Sequence, residues 1–522
     1  MARTAALAAL KRLLLLAIGA EHGGVASRQH VEPHGSCRPI PRRTFLQAAA
    51  LGTAAASWPG LGAAGCAGKK QSAQPSVAII GAGIAGLLCG HRLKQAGVHA
   101  QIYDANNRVG GRMFTARGQL PEGQIAELGG EFIDTAHRTL HALAAELGLT
   151  LDDLLADSAH VRTQTFHFAG RVLEEVELVS AMRPLSRHLQ ADIAAASTDP
   201  QRRASLDATS LAAYLNAFSD LDPTLKQVLL VAYRGEFGLE PEEQSAWNLL
   251  SLIGSVPPEL FQLLGDSDER YRTRGGNDLF ATKLSAKLAA QIQLGHRLVR
   301  VTQQPNGRFH VALDRGASTR EQDFDKLVFA LPWTQLRQVE LELPLPRRKR
   351  DMIAQLGYGT NSKLIGQFRS RVWRQEHAAS GYAFTDLAPQ ELWDTSWRQP
   401  GERGLLTVFV GGKLGFEIAQ GTPETRMRGM LDDLDRIFPH TKPAYVADSA
   451  LRMAWPTAPH FFGSYACYRP GQAQWAGSEA ERVGHLHFCG EHTSREFQGY
   501  MEGAAESGER AAREVLADLA HT

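Results

Sequence analysis

The sequence predicts a mixed α/β chain in which a Rossmann-like domain on a parallel sheet is interleaved with a second domain of mixed sheet and helices. Three observations carry that expectation. Ser76 to Arg112 (SVAIIGAGIAGLLCGHRLKQAGVHAQIYDANNRVGGR) runs strand, glycine-rich turn, helix, strand and acid, in that order. Apolar strand patterns of the same kind return much later, at Asp325 to Pro332 and around Phe488 and Cys489. Between them lie long stretches with a different, largely helical periodicity.

Val77 to Ile80 is a four-residue apolar run, short enough for a buried strand. Gly81, Gly83 and Gly86 let the backbone turn tightly and approach a pyrophosphate, whose charge sits on the N-terminus of the helix Ala85 to Gln95. Gly97 closes that helix. The strand Ala100 to Tyr103 ends on Asp104, 18 residues beyond Gly86, where a carboxylate accepts from ribose hydroxyls. NAD and FAD share this motif. Just past the acid, Arg108-Val109-Gly110-Gly111-Arg112 offers the Gly111 backbone and the Arg112 guanidinium to the far side of the same pyrophosphate. Gln124 to Ile133 reads as a strand that ends on the double glycine Gly129-Gly130.

From about Val161 to Asp268 the pattern is helical, with amphipathic segments at Ser210 to Leu215 and Leu225 to Tyr233 and breaks at Pro241, Pro257 and Pro258. Arg274 to Phe280 is a turn leading into a helix. Leu298 to Val301 and Phe309 to Leu313 form a hairpin around Pro305-Asn306-Gly307. Strands follow at Ser362 to Phe368 and Leu405 to Gly411. The expected division is an extension over 1–75, a nucleotide-binding domain from 76–160, 269–331 and 455–522, and a substrate domain from 161–268 and 332–454.

With Lys+Arg 56 against Asp+Glu 55, the net charge of +1 gives no electrostatic argument for nucleic acid or an acidic membrane. No uninterrupted apolar run is long enough for a membrane span; Ala5 to Ala20 is broken by Lys11-Arg12. Pro41-Arg42-Arg43-Thr44-Phe45-Leu46-Gln47, followed by an Ala/Gly-rich run, resembles a twin-arginine export signal, a route for proteins already folded around a cofactor. A lipidated Cys66 is the less favoured reading of the same region. Cys37 and Cys66 fall in the extension; Cys89, Cys467 and Cys489 have no metal spacing, and packing is the better reading. His485 and His487 share a strand face without a third ligand, so no metal site is expected.

On Ser76 to Arg112 and on the C-terminal runs Gly463 to Tyr468, Phe488 to Ser494 and Gly499 to Ala512, the chain resembles the flavin-containing amine oxidases, which include monoamine and polyamine oxidases. The resemblance implies FAD, with Gly81, Gly83, Ala85, Gly86, Asp104, Gly111, Arg112, Gly129, Gly130, Leu298, Trp455, Gly490, Glu491 and Met501 holding it. Asp104 stands where family members usually have Glu. Leu298 matches the strand whose backbone meets adenine, and Glu491 the residue bonded to the ribityl chain. Small residues at Gly503, Ala504, Ser507 and Gly508 would let the last helix pack closely on the cofactor.

Lys363 matches a lysine that holds a water against the flavin and assists reoxidation by oxygen, and Tyr465 and Tyr500 match the paired rings that flank the amine. Ser464 replaces the cysteine that tethers FAD in monoamine oxidases, so noncovalent FAD is expected. Phe132 stands where related amino acid oxidases carry an arginine for the substrate carboxylate. The activity implied is oxidation of a small amine to an imine, hydrolysed to aldehyde or ketone, with O2 reduced to hydrogen peroxide. The alternatives are an amine dehydrogenase with another electron acceptor, a flavin desaturase or isomerase acting on a lipid-like substrate, and a flavin-binding protein without catalysis.

Overall fold

The computed structural model describes residues 75–156, 158, 160–253 and 267–520. The twin-arginine segment, Cys37, Cys66, Pro257 and Pro258 lie outside them.

A five-stranded parallel sheet orders Leu486–Phe488, Lys326–Phe329, Val77–Ile80, Gln101–Tyr103 and Ile292–Gln293 side by side. Its strands come from distant parts of the chain because a parallel pair cannot be closed by a short turn. Val77–Ile80 lies centrally and is wholly buried, which is why it carries no polar residue. It feeds the helix Ile84–Gln95 through a turn in which Gly81 has φ +115°, a backbone only glycine adopts without strain. Gly86 is needed for space: a Cβ there would stand 1.9 Å from the Gly81 carbonyl oxygen.

A seven-stranded sheet orders Leu451–Ala454, Ser362–Phe368, Gly404–Val410, Glu391–Asp394, Ala383–Thr385, Thr165–Phe168 and Arg171–Leu173. All its pairs are antiparallel except Ala383–Thr385 with Thr165–Phe168. Its register sets Lys363 opposite Phe409 and Phe409 opposite Glu391, so these three side chains form one row on one face. The hairpin Arg297–Gln303 and Phe309–Asp314 forms as the sequence predicts and extends into a four-stranded sheet.

Two expectations are corrected. The helical stretch begins only at Glu175; before it, Thr165–Phe168 and Arg171–Leu173 make a hairpin about Ala169 (φ 52°) and Gly170 (φ 75°). Two consecutive left-handed residues match the twist of flanking strands, so this tight turn selects sheet over helix. The strand expected at Gln124 to Ile133 shrinks to Ala126–Glu127. Beyond it the N–H groups of Leu128, Gly129 and Gly130 still reach backbone carbonyls of Phe114 and Arg112, but the carbonyls are taken by side chains: Lys363 donates to Glu127 and Gly129, Trp455 to Leu128, and Asn277 to Gly130 and Glu131.

The closing helix Met501–Ala520 lies on the opening one, and Ala511, Ala512 and Val515 share a core with Ile79, Leu87 and Leu88. A Cβ on Gly508 would stand 2.3 Å from the Ala85 carbonyl oxygen, and one on Gly503 2.0 Å from that of Phe497. The small residues at 503 and 508 thus seat the helix on protein backbone, while Ala504 lines the cavity. Gly508→Val is predicted to lower unfolding stability by about 1–3 kcal/mol, read from denaturant melts, because rigid backbone must move to admit the side chain.

Candidate active site

One elongated cavity runs from the glycine turn to the face of the seven-stranded sheet. Gly81, Gly83, Ala85, Asp104, Gly111, Arg112, Gly129, Gly130, Leu298, Trp455, Gly490, Glu491 and Met501 line it, and so do Lys363, Tyr465 and Tyr500. Gly86, packed against Gly81, is the one predicted site residue off the wall. No atom lies within 4 Å of where a Gly83 Cβ would stand, so open space reaches the backbone at the helix N-terminus. That is the geometry a phosphate needs to meet backbone N–H groups and the positive end of the helix.

At this end Asp104 accepts from the Ala82 N–H (2.7 Å) and the Asn106 N–H (2.8 Å). Burial raises its carboxyl above the usual range, against the pull of those bonds. Arg112 forms an ion pair with Glu491 (2.9 Å) and donates to the Ser464 carbonyl. Glu491 also accepts from the Ala466 N–H (3.2 Å) and the Gly499 N–H (2.9 Å), which ties three segments into one wall. Glycine at 129 and 130 answers to packing: added Cβ atoms would meet the Arg112 carbonyl at 1.8 Å and the Met501 side chain at 2.7 Å.

At the other end Lys363 is only 4 % exposed, which rules out a head group in solvent. Its ammonium donates to the Glu127 carbonyl (3.0 Å), the Gly129 carbonyl (2.9 Å) and Glu131 (2.8 Å), and lies 5.1 Å from the Trp393 ring centre. An ammonium has three hydrogens, so all are engaged and none is left for the water implied at this position. Burial would raise the Glu131 carboxyl, but the Lys363 and Arg272 charges outweigh it and hold it below the usual range. Thr395 and Arg272 complete its shell.

Tyr465 donates to the Gly235 carbonyl (3.1 Å), and the Tyr500 ring stands edge-on to His137 at 5.2 Å. Burial holds His137 neutral, its value driven down to about 3. Phe132, Trp393 and Phe409 continue the aromatic wall, with centroids 5.5 and 5.4 Å apart in sequence. The Ser464 hydroxyl is bonded to Asn361 (2.6 Å); Cys467 is off the cavity wall, its sulfur 3.6 Å from the Asn248 amide. Cys89, Cys467 and Cys489 are buried free thiols. Among the described residues no group of three or more His, Cys, Asp or Glu is arranged to hold a metal.

The sequence reading missed Glu391. It lines the cavity while only 1 % exposed; one carboxyl oxygen accepts from Tyr382, and the other, Oε2, is buried without a partner. Burial raises it to about 8. A glutamate at the head of the strand Glu391–Asp394 was the faint signal available, since strands disfavour Glu. In the fold Glu391 keeps its proton up to about pH 8, whereas an unfolded chain loses it near about 4.3. Between these values the native state binds more protons, so rising pH costs stability. Glu391→Gln is therefore predicted to gain stability over the native chain by up to about 1.4 kcal/mol per pH unit between about pH 5 and 8, measured by urea unfolding.

The family model described as flavin containing amine oxidoreductase matches residues 84–516. An L-amino-acid oxidase of Mus musculus is 27% identical, over 85% of this chain and 71% of its own. A putative flavin-containing monoamine oxidase of Mycobacterium tuberculosis is 28% identical, over 85% of this chain and 97% of its own. Among solved structures, a cyclohexylamine oxidase from Brevibacterium oxydans shares the fold with a TM-score of 0.73 at 23% identity, covering 86% of this chain and 100% of that one. A putrescine oxidase bound to putrescine does so with a TM-score of 0.71 at 22% identity, covering 85% and 99%. The matched span runs from the start of the helix Ile84–Gln95 into the closing helix, and this chain belongs to the flavin containing amine oxidoreductases.

Proposed function

We propose that the protein oxidises a small amine that carries no carboxylate, with FAD held noncovalently in the cavity. The observation that carries this reading is that Lys363, Tyr465 and Tyr500 share one wall with the glycine turn and Asp104. The residues present suit FAD: backbone is open at Gly83, and two buried polar atoms on the same wall, His296 Nε2 and Gln335 Nε2, await a partner. Bound FAD supplies the two-electron acceptor, returned to its oxidised form by O2 with release of hydrogen peroxide. The chain's own residues bind and orient. Tyr465 and Tyr500 present ring faces and edges to the amine, and the Phe132, Trp393 and Phe409 wall excludes water from it. The imine formed is hydrolysed to aldehyde or ketone.

Among the described residues, a substrate carboxylate finds no unpaired arginine on this wall. The two arginines on the wall are both ion-paired, Arg112 to Glu491 and Arg297 to Asp314 (2.6 Å). Acids, by contrast, face the cavity at Glu391, Asp134 and Glu269. Glu391 lies two strands from Lys363, about 10 Å at the backbone. This spacing suits a substrate with a second ammonium group, such as the putrescine bound in a neighbouring structure. A second reading, an amine dehydrogenase with another electron acceptor, is favoured by the full engagement of the Lys363 ammonium. The twin-arginine segment supports export of the folded, cofactor-loaded protein.

Anaerobic mixing with an amine panel is predicted to bleach the flavin with simple amines and diamines but not with α-amino acids. Reoxidation in air slower than turnover with an artificial acceptor would move the assignment to the dehydrogenase. Glu391→Gln is predicted to cut kcat/KM for putrescine about tenfold or more, because a second ammonium beside Glu391 favours its ionised form and the charge-assisted bond that glutamine cannot make, while butylamine changes less than about threefold. Acid precipitation is predicted to leave the yellow chromophore in the supernatant; colour in the pellet would mean a covalent tether.

A further inference from the structure

Buried polar atoms in native proteins nearly always have partners, so one left over on a cavity wall points to what the cavity holds. His296 carries such an atom. The residue sits between the strands Ile292–Gln293 and Arg297–Gln303 and is 7 % exposed. Its Nδ1 lies 2.8 Å from the Leu294 carbonyl oxygen, an acceptor, so Nδ1 carries the ring hydrogen. That leaves Nε2 as a bare lone pair, and Nε2 is buried without a partner on the cavity wall. The ring is held in place: the His296 backbone N–H donates to the Asp104 carbonyl (2.8 Å), and the Tyr103 ring lies 5.7 Å away.

The neighbour is as informative as the atom. Both oxygens of the Asp104 carboxylate already accept one backbone N–H each, and Asp104 and His296 line the same end of the cavity. Two acceptors side by side match a ligand that brings donors. A ribose presents two adjacent hydroxyls, each with one hydrogen to give. Gln335 Nε2, an amide nitrogen also buried without a partner on this wall, supplies the opposite sense, as a base with acceptor nitrogens requires.

We propose that His296 is a cofactor-binding residue whose Nε2 accepts a hydrogen bond from the adenosine ribose of FAD, beside Asp104. The proposal rests on the flavin reading above and extends it to a residue outside the glycine motif.

The test is affinity, not turnover. The full chain, purified without flavin, is titrated with FAD and with FAD analogues lacking the 2′- or 3′-hydroxyl of the adenosine, following quenching of flavin fluorescence. His296→Leu is expected to weaken FAD about tenfold, the worth of one buried hydrogen bond. His296→Gln, whose amide oxygen can still accept, is expected to stay within about threefold of native. For one of the two analogues the native-to-leucine ratio is expected to collapse towards one. The proposal is overturned if the folded leucine variant binds FAD within about twofold of native, or if its loss is the same for FAD and both analogues. Should leucine at 296 prevent folding, the native chain still decides: the 15N resonance of His296 Nε2 moves upfield on adding FAD if the lone pair becomes an acceptor, and an unmoved resonance overturns the proposal. Native protein that takes up no FAD by any of these readouts overturns the flavin reading itself, and this inference with it.

Discussion

A buried ammonium ties the seven-stranded sheet to the loop that lines the cavity. Lys363 belongs to the seven-stranded sheet, yet its three hydrogens bind Glu127, Gly129 and Glu131, in the loop that follows the GGR segment. Backbone bonds to Arg112, Phe114 and Tyr271 hold one edge of that loop, and its carbonyls are fixed by Lys363, Trp455 and Asn277. Burying a charge pair gains little net stability, because desolvation offsets the attraction. What it does is punish the wrong arrangement, since any slip of the loop strands both charges in a dry interior. The loop in turn presses Gly130 on Met501, the first residue of the closing helix. Opening motif, substrate sheet and C-terminus are thereby locked at one point, where the cavity bends towards the aromatic wall.

The same wall also contains a charge problem left unsolved. Glu131 is compensated by Lys363 and Arg272, and its carboxyl is held low. Glu391, two strands away in the same row, has only a tyrosine hydroxyl for a partner, and its carboxyl is held high. Two glutamates of one pocket with opposite shifts mark a division of labour: one is structural and spent, the other is a group the fold pays to keep ready. Sites that break local rules in this way are where function is expected to lie.

Legibility in the sequence follows the range of the interactions involved. The opening strand, turn, helix and acid are set by neighbours within about 30 residues, and the strand edges fall within a residue of expectation. Ser362–Phe368 was legible too, because a strand buried on both faces keeps an apolar centre, here Leu364 and Ile365, and an apolar end at Phe368. The Thr165–Leu173 hairpin was hidden by the helices that follow it, although Ala169-Gly170 between alternating residues was a turn signal. Glu391 left only a faint signal as a strand glutamate, and His296 left none. Each reaches the cavity only through strand register or a loop that the rest of the chain positions, and neither register nor loop geometry is written in local periodicity.

The cavity wall takes residues from Ile80 to Ala504, and its last piece, the closing helix, rests on the carbonyl of Ala85 through Gly508. A ribosome adding about 5–20 residues per second leaves the glycine turn waiting roughly 20–80 s for that lid to emerge. The pocket is thus complete only after the closing helix has been made. A truncated product lacking the last few dozen residues would expose the apolar faces of the opening helix, so quality control on this chain can act on its very end.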